Sequence, residues 1–162
     1  MTRWYRGFRL VVRWLLILAF AVWFGGFTFY GAVVLTVLHD QLDQLAAGSI
    51  TRDVTSYLNL IGLVAIGFVW FDVALEVPRW RSRWGIVTIG LLVVISIIQA
   101  GLFWGHAYLG DWLDERGLRG FYRIHTIYLH TSTFQWAACI LLMLTMVRNW
   151  SMADRQSLIE PS

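Results

Sequence analysis

Four histidines, His39, His106, His125 and His130, are the only imidazoles in this 162-residue chain, and each falls at the end of a long apolar run. Imidazole is the commonest metal ligand and titrates near neutral pH. His39 closes the first run, His106 closes the third, and His125 and His130 open the fourth. Consecutive membrane helices alternate in direction, so these three helix ends share one side. A site made from His39, His106, His125 and His130 would offer the nitrogen donors that suit copper or zinc. Asp40, Asp43, Gln99 and Tyr128 are candidates to orient those imidazoles or to add oxygen near them. Met143 and Met146 lie towards the opposite side, so the edge lacks the thioether donors of a site for Cu(I) alone.

Helical geometry limits how many of the four can meet. His125 and His130 are five apart, about 140° around a helix, so one face cannot present both to one ion. Gln99 and His106 are seven apart and share a face. Haem b is a second possible ligand. It requires two axial imidazoles on facing helices with a gap for the macrocycle, and His106 with His130 is the best pair. A third reading needs no ligand: interfacial histidines hydrogen-bonded to Thr, Ser and loop carbonyls.

A second polar feature is acidic. Asp72 and Glu76 stand one turn apart near the other end of the second run. Ionisable groups inside a membrane are costly and turn inward or towards a cavity. The favoured reading of Asp72 is a structural ion pair with an inner arginine such as Arg13, with a proton or cation relay as the sharper alternative. No serine or cysteine nucleophile has an evident base. The glycines lie in apolar stretches and make no phosphate-binding loop. The expectation is a protein that is not an enzyme.

The elements that must position these residues are membrane helices. The chain is 58% hydrophobic and 14% charged, with a mean hydropathy of +0.61, whereas a soluble domain is nearer a quarter charged. Four runs reach the roughly 20 residues that a crossing needs: about 10–38, 57–77, 85–105 and 124–147. Their sum is an all-α integral membrane four-helix bundle of two antiparallel hairpins, occupying residues 1–150. Residues 151–162 read as a polar cytoplasmic tail. The first run is too long for a cleaved leader and has no convincing cleavage motif. All thirteen basic residues are arginine. Nine of them, at the N-terminus, in Pro78–Trp84 and after the fourth run, fall on one side and four on the other. The positive-inside rule then puts both termini in the cytoplasm and the histidines outside. The arginines flank apolar runs and form no stripe, which excludes nucleic acid as a partner.

The connections and surfaces follow from the same pattern. Residues 39–56 read as an outer loop with an amphipathic turn, and Asp111–Arg116 as a short interfacial helix. Trp4, Trp14, Trp80, Trp84 and Trp150 are expected at the inner interface, and Trp104 and Trp112 at the outer one. Cys139 is the only cysteine, which rules out an internal disulfide and leaves it a small packing residue. Gly101 and Gly105 form a GxxxG, a motif that lets membrane helices approach within the bundle or between copies.

The segment Trp23-Phe24-Gly25-Gly26-Phe27-Thr28-Phe29-Tyr30-Gly31 resembles the W-x-G-G-x-x-F-x-G entry segment of copper-resistance D-like bacterial membrane proteins. The layout also resembles an uncharacterised four-helix family with bacterial and eukaryotic members, in which a phenylalanine followed by a histidine opens the last helix. Phe121 and His125 match those positions. The resemblance implies a bacterial inner-membrane protein, with His125 as a site residue and copper handling as its role. The leading expectation is a small membrane protein with an outward-facing metal site. The alternatives are an accessory or scaffold subunit, or homo-oligomer, in a membrane complex, and a haem-b electron carrier.

Overall fold

The computed structural model describes residues 3–75, 80–116 and 120–159, and its regular structure is entirely helical. Helix α1 (Arg3–Phe29) runs through a five-residue π-helical segment (Tyr30–Val34) into α2 (Leu35–Gln41), and these together make the first crossing. The others are α3 (Gln44–Leu75), α4 (Arg83–Arg116) and α5 (Phe121–Ile159). Each crossing contains a stretch long and apolar enough to span a membrane. In hydrocarbon every backbone N–H and C=O must be satisfied within the protein, so uninterrupted apolar runs become helices. The protein is a multi-pass integral membrane four-helix bundle.

The breaks have local causes. Leu42 leaves the helical region (φ −125°, ψ 154°). Asp43 then caps α3, its Oδ1 accepting from the Ala46 N–H at 2.9 Å. Ser82 does the same for α4 through the Gly85 N–H at 3.0 Å. A Cβ on Gly85 would lie 2.6 Å from Trp80 Cα, so the turn between α3 and α4 closes only over a glycine. Gly120 enters α5 at φ +77°, a conformation that L side chains avoid.

The helices are longer than the apolar runs. The expected loop at 39–56 shrinks to the break at Leu42 and Asp43, because α3 already starts at Gln44. The interfacial helix expected at 111–116 is the end of α4. The tail expected from residue 151 is helical through Ile159 as part of α5. The hydropathy window marks only the stretch in lipid. Beyond it, each added residue gains another backbone hydrogen bond until a breaker intervenes. At 39 residues, α5 is about 58 Å long, roughly twice the hydrocarbon thickness.

Packing runs from α1 to α3, α3 to α4 and α4 to α5. Between α1 and α5 the link is made by side chains. Phe24 and Trp136 stack at 5.0 Å, and Trp136 Nε1 donates to Thr28 Oγ1 at 2.9 Å. The middle of the bundle is dry: Leu16, Val69, Leu92, Ile95, Leu142 and Met146 have no exposed surface to speak of. Trp4, Trp14 and Trp104 are exposed, as an aromatic belt requires, but Trp80 and Trp150 are buried in the core cluster. Trp80 is drawn in by the tight turn over Gly85, and Trp150 by a buried carboxylate described below.

Replacing Gly85 with Ala is expected to destabilise the α3–α4 hairpin by about 1–3 kcal/mol, the usual cost of forcing extra carbon into a packed site. Unfolding of the purified protein in graded denaturing detergent checks this.

Candidate functional site

The histidines share an end of the bundle without sharing a site. His106 is half-buried, with Nε2 at 3.0 Å from both the Arg52 carbonyl and Ser56 Oγ on α3. A bond to a carbonyl requires that Nε2 carry the proton, so this nitrogen is a donor here and not a free lone pair. His39 is exposed and its Nδ1 donates to the Leu35 carbonyl of its own helix at 2.8 Å. His125 stacks on Phe121 at 5.4 Å, so the two residues matched to the family pattern are in contact, one helical turn apart. His130 is exposed on α5. Among the described residues no group of three His, Cys, Asp or Glu stands close enough to hold a metal ion. The physical reason is angular. His106 bonds to α3, His39 to its own helix, His125 stacks on Phe121, and His125 and His130 are about 140° apart around α5. Asp40 is exposed, and Asp43 is engaged as the α3 cap.

The buried chemistry lies deeper, in two polar layers. The layer nearer the histidines is a chain of amides. Gln135 Nε2 on α5 donates to Gln99 Oε1 on α4 at 2.8 Å. Gln99 Nε2 donates in turn to the Asn59 carbonyl on α3 at 3.0 Å, with Asn59 Oδ1 at 3.4 Å. Asn59 Nδ2 donates to the Tyr128 hydroxyl on α5 at 3.0 Å. Gln99 is 1% exposed and Gln135 5%, so these groups have almost no solvent alternative. Gln99 lies seven residues inside His106, about 10 Å deeper. A Cβ on Gly62 would lie 2.6 Å from Trp23 Nε1 and 3.0 Å from Gln99 Oε1, so that glycine admits both groups to the α3 backbone.

A cavity of about 20 Å³ adjoins this chain, lined by Thr55, Asn59, Gln99, Ser132 and Gln135, with Trp23 and Cys139 among its apolar walls. It could hold water but not a haem macrocycle. Cys139 is buried and is a packing residue, as its position in the run suggests.

The second layer lies at the arginine-rich end. Asn149 Nδ2 donates to Thr88 Oγ1 and to the Thr145 carbonyl, both at 2.9 Å. Asp72 is buried, and its Oδ2 accepts from Trp150 Nε1 at 3.1 Å. Arg13 does not pair with Asp72 as its charge suggests. Its Nη1 contacts Asp154 at 3.0 Å, and its guanidinium lies 5.2 Å from the centre of the Trp150 ring. The continuation of α5 past the apolar run explains this, since it carries Asp154 back beside α1. Arg9 also approaches Asp154, at 3.8 Å. Glu76 lies outside the described residues, as does the side chain of Asp114.

Gln99 and Tyr128, named from sequence as groups behind a metal, do occupy the buried centre, but as members of the amide chain. Asn59 and Asn149 carry no such signal alone, the first a single amide in an apolar run and the second just beyond one. The spacing Thr51, Thr55, Asn59 is legible afterwards as one polar line on α3 at one-turn intervals.

A family model described as a domain of unknown function, DUF4149, matches residues 18–114. The match takes in Trp23, Asn59, Gln99 and His106. It agrees with the uncharacterised family and gives no support to the copper-resistance D-like resemblance. No curated protein and no solved structure matches the chain.

Gln99→Leu removes the middle of the amide chain and strands Asn59 and Gln135; a loss of about 1–3 kcal/mol is expected from the unpaired groups. Changing all three amides to Leu should cost less than the sum of the single changes, because the amides no longer strand one another and only Tyr128 loses a partner. Trp150→Phe removes the indole donor from Asp72 while keeping an aromatic ring beside Arg13. It should lower the unfolding midpoint, and Asp72→Asn in the same background should restore part of it.

Proposed function

The chain belongs to the DUF4149 family, whose function is unknown, and on that premise we propose that it is a small non-enzymatic accessory or scaffold subunit of a larger membrane assembly. The observation that carries this reading is where the polar groups and the free surfaces lie. Inside, the buried amides of Asn59, Gln99, Gln135 and Asn149 are spent on neighbouring polar groups and hold the helices in one register. Outside, only 28% of the spanning window is buried in the first, third and fourth crossings and 44% in the second. Gly25, Gly67, Gly90 and Gly101 have nothing within 4 Å of where a Cβ would stand. Small residues on lipid-facing helix surfaces allow another helix to approach closely.

A copper or zinc site would first have to free His106 from Ser56 and turn His39 from its own helix. The scaffold reading uses the contacts as they stand. The arginine bias supports placing both termini in the cytoplasm.

Cross-linking in native membranes, followed by sizing in a mild detergent, tests the reading. The expected result is a defined species larger than the 18.7 kDa chain, dispersed by Gly101→Ile or Gly67→Ile with the fold intact. A single copy under both conditions, unaltered by these substitutions, overturns it.

A further inference from the structure

We propose that the half of the bundle nearer the histidines holds a built-in site for ordered water, running from Tyr30 down to the amide chain and stopping at the dry layer below it. The starting point is an orphaned donor. Tyr30 is 8% exposed, and its buried hydroxyl makes no hydrogen bond of good geometry within the protein. It faces the hydroxyls of Thr51 and Thr55 on α3. A buried hydroxyl left unpaired costs of the order of a hydrogen bond, so such groups in folded proteins are met by protein or by water.

The backbone is shaped for this at the same residue. The π-helical segment begins at Tyr30, whose carbonyl accepts from the Leu35 N–H five residues on. That widened turn costs regular hydrogen bonding, and π-bulges recur at functional sites. Tyr30 is seven residues beyond Trp23 on the same helix face, about 10 Å further towards the histidine end. Trp23 lines the cavity beside the amide chain, and Thr55 lines it too while standing beside the Tyr30 hydroxyl. The orphaned hydroxyl and the cavity therefore share a wall.

The cavity meets the requirements of water. Its volume is about 20 Å³, whereas one water needs about 10–15 Å³ measured this way and two to four polar partners. Thr55, Asn59, Gln99, Ser132 and Gln135 supply the partners. Asn59, Gln99 and Gln135 are neutral and already joined, so the site favours a small uncharged donor–acceptor and gives no countercharge to an ion. Below it, Leu92, Ile95, Leu142 and Met146 are fully enclosed and offer no polar atom to a water except a weak thioether. Water is thus admitted to about mid-bundle and no further.

Radiolytic footprinting of the full-length protein in lipid nanodiscs, in ¹⁸O-labelled water, tests this. Hydroxyl radicals form from water where it sits, so a buried side chain beside bound water is labelled and one in a dry core is not. Trp23, Tyr30 and Met146 are all buried, and methionine is among the side chains most readily oxidised. The expected result is labelling of Trp23 and Tyr30 about tenfold above Met146, the reverse of what equal dryness would give. Labelling of Trp23 and Tyr30 at or below the Met146 level overturns the proposal. Tyr30→Phe with Thr55→Val should lower the Trp23 yield several-fold and leave exposed Trp104 unchanged; an unaltered Trp23 yield counts against the site. The wild-type comparison decides even if that variant fails to fold. The outcome is independent of whether the protein has partners.

Discussion

An amide placed in hydrocarbon has to find another amide. That requirement organises the bundle around Gln99. Its carboxamide accepts from Gln135 and donates to Asn59, so one side chain links three helices. In water such bonds exchange freely with solvent. Inside a membrane the alternative is an unsatisfied group, which makes the pairing a condition of folding. A slip of one residue in α3, α4 or α5 would separate the partners and turn Gln99 towards apolar neighbours.

The second polar layer applies the same condition about 16 Å away, eleven residues along α4 from Gln99 to Thr88. Asn149 ties α5 to α4 there, and the Asp72–Trp150 bond ties α3 to α5. Two separated layers fix tilt as well as register. Between them the packing can be wholly apolar. Leu16, Val69, Leu92, Ile95, Leu142 and Met146 fill the gap without polar help. Non-directional contacts of this kind fill space but discriminate poorly between registers; the amides supply that discrimination.

Helix α1 is held differently. It packs on α3, and it reaches α5 through the Phe24–Trp136 stack, the Trp136–Thr28 bond and the Arg13–Asp154 pair. Large aromatic side chains span the distance that backbone contact closes elsewhere. This seam is also where the small cavity lies, with Trp23 and Trp136 on its walls. The bundle is therefore tightest around α4 and loosest between its first and last helices.

Four membrane helices, their approximate spans and the hairpin of α3 and α4 were readable from the chain, because each depends on local physics: apolar length and the arginine-rich break after the second run. The shared level of the four histidines was equally readable, since alternating direction puts helix ends on predictable sides. Their convergence was not, because it depends on rotation of each helix about its own axis, which packing decides. The same holds for Asp72 and Arg13. Charge made them natural partners, but the folded α5 brings Trp150 to one and Asp154 to the other. The joining of Asn59, Gln99 and Gln135 likewise belongs to tertiary structure: residues 36 and 40 positions apart meet only after the helices pack. Sequence determines where a polar group sits along the membrane normal. Only the packed bundle determines which way it faces and what it meets.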